Sequence, residues 1–232
     1  MNELLLLVTA VFSAGFVVAG WKLGKERLYS VIVVFLILIA STGGKIAIFF
    51  GHETNTGNIF YASVFLATYF IVERYGKREG LYSIWVGVLC LVFFSVLAQI
   101  SAVLQGSDAS NGFNAALSVV FAPLSRVALA SLVAYVISQN VNVRIYLSLK
   151  SRLSATSLWL RANISNAAAQ VVDSIVFFTI AFGGVVLPPH FLDIALTGFA
   201  IKVIYMMLAS PLLYLNKVEE EDGHDYSTVT LR

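Results

Sequence analysis

The sequence predicts an all-α integral membrane protein, a polytopic bundle of about seven transmembrane helices with the N-terminus outside and the C-terminus inside. Three observations predict it. Seven apolar stretches, approximately 4–20, 28–50, 58–73, 81–105, 115–139, 164–187 and 191–215, each approach the ~20 residues a helix needs to cross the hydrocarbon core. Positive charge alternates between the connections: Lys22, Lys25 and Arg27 in the first, Arg74, Lys77 and Arg78 in the third, Arg144, Lys150, Arg152 and Arg161 in the fifth, Lys217 and Arg232 in the tail. The second (51–57), fourth (106–112) and sixth (188–190) connections have none, which by the positive-inside rule fixes the orientation. Composition agrees, with 59% hydrophobic and 12% charged residues against roughly 25% charged in soluble domains.

The first stretch has Glu3 but no Lys or Arg in its leading segment and no convincing small-residue cleavage site, so it reads as a retained helix rather than a signal peptide. The second contains Gly43-Gly44 just before Lys45. The third is rich in rings (Phe60, Tyr61, Phe65, Tyr69, Phe70) and closes on Glu73. The fourth holds Cys90, the single cysteine, which leaves no disulfide framework or redox motif. The fifth has Pro123 three residues before Arg126. After it, Ile145, Tyr146, Leu149 and Leu153 fall at helical spacing among Arg144, Lys150 and Arg152, the pattern of a short amphipathic helix on cytoplasmic headgroups. The sixth stretch carries Phe177, Phe178 and Phe182, followed by Gly183-Gly184. The seventh completes a membrane domain over 1–216, with a six-helix core as the smaller alternative. Residues 217–232 form an acidic cytoplasmic tail with nothing to bury, expected to be disordered. The net charge of +2 supports no nucleic-acid partner; the lipid bilayer is the implied environment.

The informative residues are the ionisable ones left in the membrane: Lys45, Glu73, Arg126, Asp173 and Lys202. At about 1.5 Å rise per residue, Arg126, Asp173 and Lys202 fall in the middle third of their spans. Each costs at least ~2.5 kcal/mol at the bilayer centre, so each must face protein or water. Asp173 is the one carboxylate at that depth, against two cations, and its partner is Arg126 or Lys202. Span six adds Asn163, Asn166 and Gln170, which with Asp173 are spaced three, four and three apart and share one stripe of a helix. One or two such residues serve as interhelical hydrogen-bond glue; four on one face point to a polar cavity. Breakers lie at similar depth, at Gly43-Gly44, Pro123 and Gly183-Gly184, either freeing backbone groups for a substrate or reflecting the ordinary tolerance of membrane helices for Gly and Pro.

Enzyme motifs fail. His52, His190 and His224 all lie in connections or tail, so no intramembrane metal cluster is available. Gly44-Lys45 lacks the upstream glycine and the following Ser or Thr of a phosphate loop. No serine or cysteine nucleophile has a histidine at its depth, and no cofactor is implied.

The run from Phe65 to Gly80, FLATYFIVERYGKREG, and the stretch from Arg126 to Phe182 resemble the queuosine precursor transporter family, also called the vitamin uptake transporter (VUT, YhhQ-type) family. Glu73, Tyr75 and Gly76 match one signature. Arg161, Asn163, Ser165, Gln170, Asp173 and Ser174 match another, and Arg126 with Gln139 and Lys202 with Pro211 and Tyr214 match too. Where the family usually has Asp, four residues before the Glu, this chain has Tyr69. The resemblance implies import of 7-deazaguanine precursors of modified tRNA bases, the 7-cyano (preQ0) or 7-aminomethyl (preQ1) compound, across the plasma (inner) membrane. A guanine-like edge suits a carboxylate at Asp173 or Glu73, donors from Asn163, Asn166, Gln170 or Arg126, and a ring such as Tyr69 or Phe177 to stack on. Lys202 completes the candidate binding residues. With no nucleotide-binding motif, the chain acts either as a secondary carrier or as the vitamin- or nucleobase-binding component of a multi-subunit system, and a homodimer stays open. A seven-helix retinal protein with Lys202 as the Schiff base is a remote alternative, disfavoured by Gly198 one turn before the lysine and by the lack of a carboxylate in span three above Glu73.

Overall fold

The computed structural model describes residues 1–107, 111–121, 126–154, 156–184 and 191–216; the acidic tail, Pro123 and His190 lie outside them. Among the described residues the chain forms α1 (Asn2–Leu23), α2 (Lys25–Thr42), a hairpin of β1 (Ile46–Phe49) and β2 (His52–Asn55), α3 (Asn58–Val103), α4 (Asn111–Val120), α5 (Arg126–Arg152), α6 (Leu158–Phe182), α7 (Phe191–Ala209) and a closing 3-10 turn, Ser210–Tyr214. Four of these are long and apolar enough to cross a membrane: α1, α3, α6 and α7 with its 3-10 turn.

The first half of α3 is the centre of the bundle. Every residue from Ala62 to Val72 is buried, the all-round burial that an all-round apolar helix seeks. α1 and α2 pack on one side of it, joined by a turn at Gly24 (φ 104°), and α5 and α6 pack against each other and on its other side together with α7. Trp21 meets Phe70 with ring centroids 5.5 Å apart, and Phe35 stacks on Phe60 at 6.0 Å.

Four spans differ from the sequence reading. The second ends at Thr42 instead of running to 50: the chain breaks at Gly43-Gly44, and Ile46 to Asn55 pair as an antiparallel ribbon with Phe49 opposite His52. Phe50 and Gly51 form its two-residue turn, both with positive φ (54° and 85°), the left-handed pair of the turn type that matches strand twist. Lys45 therefore sits exposed before β1, outside any helix. The third and fourth spans run on with no loop, parted by one residue, Gly76, at φ 85° and ψ −176°, backbone that essentially only glycine adopts. The fifth is divided between α4 and α5, and α5 continues to Arg152, so the segment expected on the headgroups extends a bundle helix and buries Tyr146 completely. That continuity is explained by polarity: Ser138, Gln139 and Asn142 are fully buried, held by neighbouring helices rather than by lipid.

Candidate functional site

Tyr61, Phe65, Tyr69 and Glu73 recur every four residues along α3, the spacing that sets each side chain beside the one a turn before it. At about 1.5 Å per residue the four rungs extend over about 18 Å. They face α5 and α6, which run antiparallel: Ser138 of α5 meets Asp173 of α6 at one level, while Asn142 and Ser165 share the Tyr69 hydroxyl at the next.

At the first rung the Tyr61 hydroxyl donates to Asp173 Oδ1 at 2.6 Å, and the Ser138 hydroxyl reaches the same oxygen at 3.2 Å. The other carboxylate oxygen lies 3.6 Å from Lys202 Nζ, which sits 5.1 Å from the centre of the Tyr61 ring. The Asp173 and Lys202 side chains are only 14% and 10% exposed. Of the two partners the sequence allowed for Asp173, Lys202 is in contact; Arg126 opens α5 and its side chain lies outside the described residues. Two hydroxyls and an ammonium compensate the carboxylate for water it has lost.

Between the first and third rungs lies the fully buried Phe65, its ring 5.3 Å from that of Tyr61. At this level Gln139 of α5 and Asn166 and Gln170 of α6 are also fully buried. Gln170 Nε2 donates to Asn166 Oδ1 at 3.4 Å, and Asn142 Nδ2 to Gln139 Oε1 at 3.5 Å. Gln139 Nε2, Asn166 Nδ2 and Gln170 Oε1 have no hydrogen-bond partner among the described residues. Native interiors leave few buried polar atoms unpaired, so three at one level mark it out. Asn163 leaves the stripe: its amide donates to Trp159 O at 2.8 Å and to Ser210 Oγ at 2.9 Å, tying α6 to the 3-10 turn.

At the third rung the Tyr69 hydroxyl lies 2.6 Å from Asn142 Oδ1, 2.9 Å from Ala162 O and 2.9 Å from Ser165 Oγ. Its ring packs on Tyr146 at 4.8 Å, so Tyr69, expected to stack a ligand, is pinned at both ends by the protein. The fourth rung is a charged clasp. Glu73 Oε2 accepts from the Tyr146 hydroxyl at 2.8 Å, and Oε1 lies 3.1 Å from Lys150 Nζ and 3.4 Å from Arg161 Nη2. Arg161 is 2% exposed and lies over the Tyr146 ring.

A cavity of about 660 Å³ opens at the hairpin end of the bundle, bordered by Gly43, Gly44 and Asn55 and reaching Tyr61, Tyr135 and Phe177. That volume falls within the range of small-molecule sites. Tyr61 belongs to both features: it lines the cavity and its hydroxyl holds Asp173. Phe177 lines the cavity directly, whereas Asp173 meets it through Tyr61. Among the described residues no group of His, Cys, Asp and Glu could hold a metal. The arrangement offers amides, hydroxyls, rings and paired charges, groups that hold a ligand by hydrogen bonds and stacking.

Sequence reasoning passed over Tyr61, Ser138, Asn142 and Tyr146 as site residues. The signal was the run Ser138-Gln139-Asn140-Val141-Asn142, whose polar members at i, i+1 and i+4 share a face opposite the span-six stripe.

Residues 55–216, which include every rung and every partner named above, match the profile of a family described as "Putative vitamin uptake transporter". A protein of Bacillus subtilis (strain 168) named "Probable queuosine precursor transporter" is 33% identical over 174 residues, covering 72% of this chain and 73% of the relative. The "Queuosine precursor transporter" of Escherichia coli (strain K12) is 26% identical over 160 residues, 66% of this chain and 68% of the relative. No solved structure matches.

Proposed function

The chain belongs to the vitamin uptake transporter family, and on that premise we propose that it imports queuosine precursors, 7-deazaguanine bases, across the plasma membrane. The observation that carries this reading is the ladder. Buried hydroxyls, amides and charges follow one another for about 18 Å along α3, far more polarity than helix packing in lipid requires, and intramembrane ionisable groups mark substrate pathways by default. The names of the two relatives supply the substrate class.

In this reading the base enters the cavity at the hairpin end, stacks on Phe177 or Tyr61, and passes the Asp173 level; the Glu73 clasp closes the opposite end. The basic residues gathered around the Gly24 turn, the Gly76 break and the end of α5 support, by the positive-inside rule, a reading with the clasp cytoplasmic and the hairpin outside. Lys202 serves as the partner of Asp173, within 3.6 Å, rather than as an attachment point for a chromophore. The chain works as a carrier without a nucleotide-hydrolysing subunit.

The test is uptake of 7-cyano- and 7-aminomethyl-7-deazaguanine by proteoliposomes holding the wild type or Asp173→Asn, with guanine and riboflavin as controls. Uptake of a deazaguanine by the wild type and its loss in a folded variant is the expected result. Undiminished uptake by Asp173→Asn removes that residue from the mechanism, and uptake of neither base by the wild type removes the substrate assignment.

A further inference from the structure

We propose that the Tyr135 hydroxyl holds the hydrogen-bonding edge of the planar base in the cavity at the hairpin end of the bundle, before the base reaches the Asp173 level. The inference rests on the import of a deazaguanine proposed above; it seats that base in the cavity and assigns one binding residue there.

Four tyrosines are buried among the described residues: Tyr69, Tyr135, Tyr146 and Tyr205. Three have their hydroxyls engaged inside the protein. Tyr69 bonds Asn142, Ala162 and Ser165, Tyr146 donates to Glu73, and Tyr205 accepts from Ser63 at 2.7 Å. Tyr135 is 2% exposed, yet its hydroxyl has no hydrogen-bond partner among the described residues. A phenol taken out of water ordinarily finds one. Unlike the amide atoms of Gln139, Asn166 and Gln170, the Tyr135 oxygen is not fully enclosed. The residue lines the cavity, so the partner its hydroxyl can take is one that occupies the cavity.

Packing fixes the ring without using the hydroxyl. The Tyr135 and Tyr61 rings meet edge to face, with centroids 6.4 Å apart and planes at 66°. On the side of α3, a Cβ at Gly87 would lie 2.8 Å from the Tyr135 oxygen and 2.7 Å from Leu36 Cδ1, so glycine there is what lets the phenol reach across from α5. A group already held in place loses little freedom when a ligand binds it. The cavity wall around it is largely apolar, with Leu36, Ile39, Leu132 and Phe177, and a hydrogen bond made in such surroundings is strengthened. Of the other polar groups on that wall, Tyr61 is engaged by Asp173, Asn55 by Gly43 and Gly57, and Ser95 by Leu91. Pockets for small molecules orient them by a few polar groups on apolar walls. A phenol both donates and accepts, so Tyr135 can take a ring carbonyl or a ring N–H of the base while Phe177 or Tyr61 carries its face.

The test is calorimetric binding to detergent-purified wild type and Tyr135→Phe, together with their melting temperatures without ligand. The probe is whichever of the 7-cyano and 7-aminomethyl bases the wild type binds more tightly. Tyr135→Phe keeps the ring and removes one oxygen, so affinity is expected to fall about tenfold, as for one hydrogen bond lost in an apolar site. The melting temperature should not fall, because no bond within the protein is removed. In a Cys90→Ser background, Ser95→Cys on the cavity wall should react with N-ethylmaleimide more slowly with the base bound than without it, a readout that a structural hydroxyl would not move. Retained affinity in Tyr135→Phe means that the hydroxyl merely faces solvent, and a lower melting temperature means that it bonds within the protein; either result overturns the proposal. Labelling of Ser95→Cys at the same rate with and without the base also overturns it, by seating the base elsewhere. Binding of neither base by the wild type is a different failure, that of the import reading itself.

Discussion

Replacing Glu73 with Gln isolates the charged clasp at the foot of the ladder. The Glu73 carboxylate meets Lys150 at 3.1 Å, Arg161 at 3.4 Å and the Tyr146 hydroxyl at 2.8 Å. These contacts are unequal. The Lys150 side chain is 37% exposed and can be hydrated instead, so its pairing is worth at most about 1 kcal/mol. The Tyr146 hydroxyl still finds an acceptor in Gln. Arg161, 2% exposed, has no route to water, and a buried charge stripped of its partner costs about 3–5 kcal/mol. Its place over the Tyr146 ring, 5.4 Å from the centroid, returns part of that through a cation–π contact. We therefore take the loss for Glu73→Gln as about 3 kcal/mol. At ~2–4 °C per kcal/mol for a chain of this size, the melting temperature should fall by about 6–12 °C. Glu73→Gln with Arg161→Met, which removes both charges, should recover most of it, while Lys150→Met alone should cost about 1 kcal/mol or less. The assay is thermal unfolding of the detergent-solubilised protein followed by tryptophan fluorescence. A single variant within about 1 kcal/mol of wild type, or a double variant no more stable than the single, would refute the account of Arg161 as a charge dependent on Glu73.

Three further outcomes are expected. Gly76→Ala forces an L side chain into the φ 85°, ψ −176° conformation and should cost about 1–3 kcal/mol, read from the same melting curves, whereas an unchanged curve would mean that the break relaxes freely. His52 Nδ1 lies 2.7 Å from Asp193 Oδ1, and the Glu53 backbone N–H donates to the other oxygen at 2.9 Å; Asp193→Ala should speed hydrogen exchange across 46–55 while leaving α3 protected, and unaltered exchange would show that the hairpin holds without α7. In a Cys90→Ser background, an impermeant maleimide applied outside intact cells should label Glu53→Cys and not Lys22→Cys, the opposite pattern reversing the orientation.

Apolar length and the charges of the connections were enough to reveal a helical membrane bundle, and the stripe ending at Asp173 was legible because helical spacing alone aligns its members. The hairpin was not, since Ile46, Ala47, Ile48, Phe49 and Phe50 are as apolar as the span before them. Only Gly43-Gly44 marked the break, and glycine is common in membrane helices. Partner choice was half legible: charge arithmetic limited Asp173 to Arg126 or Lys202, but the contact with Lys202 needed the fold. Tyr61 hid among the rings of its span and Tyr146 in a segment expected on the headgroups, because nothing in a sequence shows where a phenol's oxygen ends up. Tyr69 illustrates the same limit from the other side. Its ring was a candidate for stacking, yet Tyr146, 77 residues further along, already covers it.

The rungs of α3 are four residues apart on a helix that turns every 3.6, so each is rotated about 40° from the last and Glu73 points about 120° away from Tyr61. That winding is why the first rung looks toward α6 and α7, at Asp173 and Lys202, while the last looks toward α5 and the start of α6, at Lys150 and Arg161. A route that keeps to this face is a spiral staircase, about a third of a turn from top to bottom. A flat molecule keeping one face against the rings would have to pirouette as it descends, which a sphere of equal volume would not.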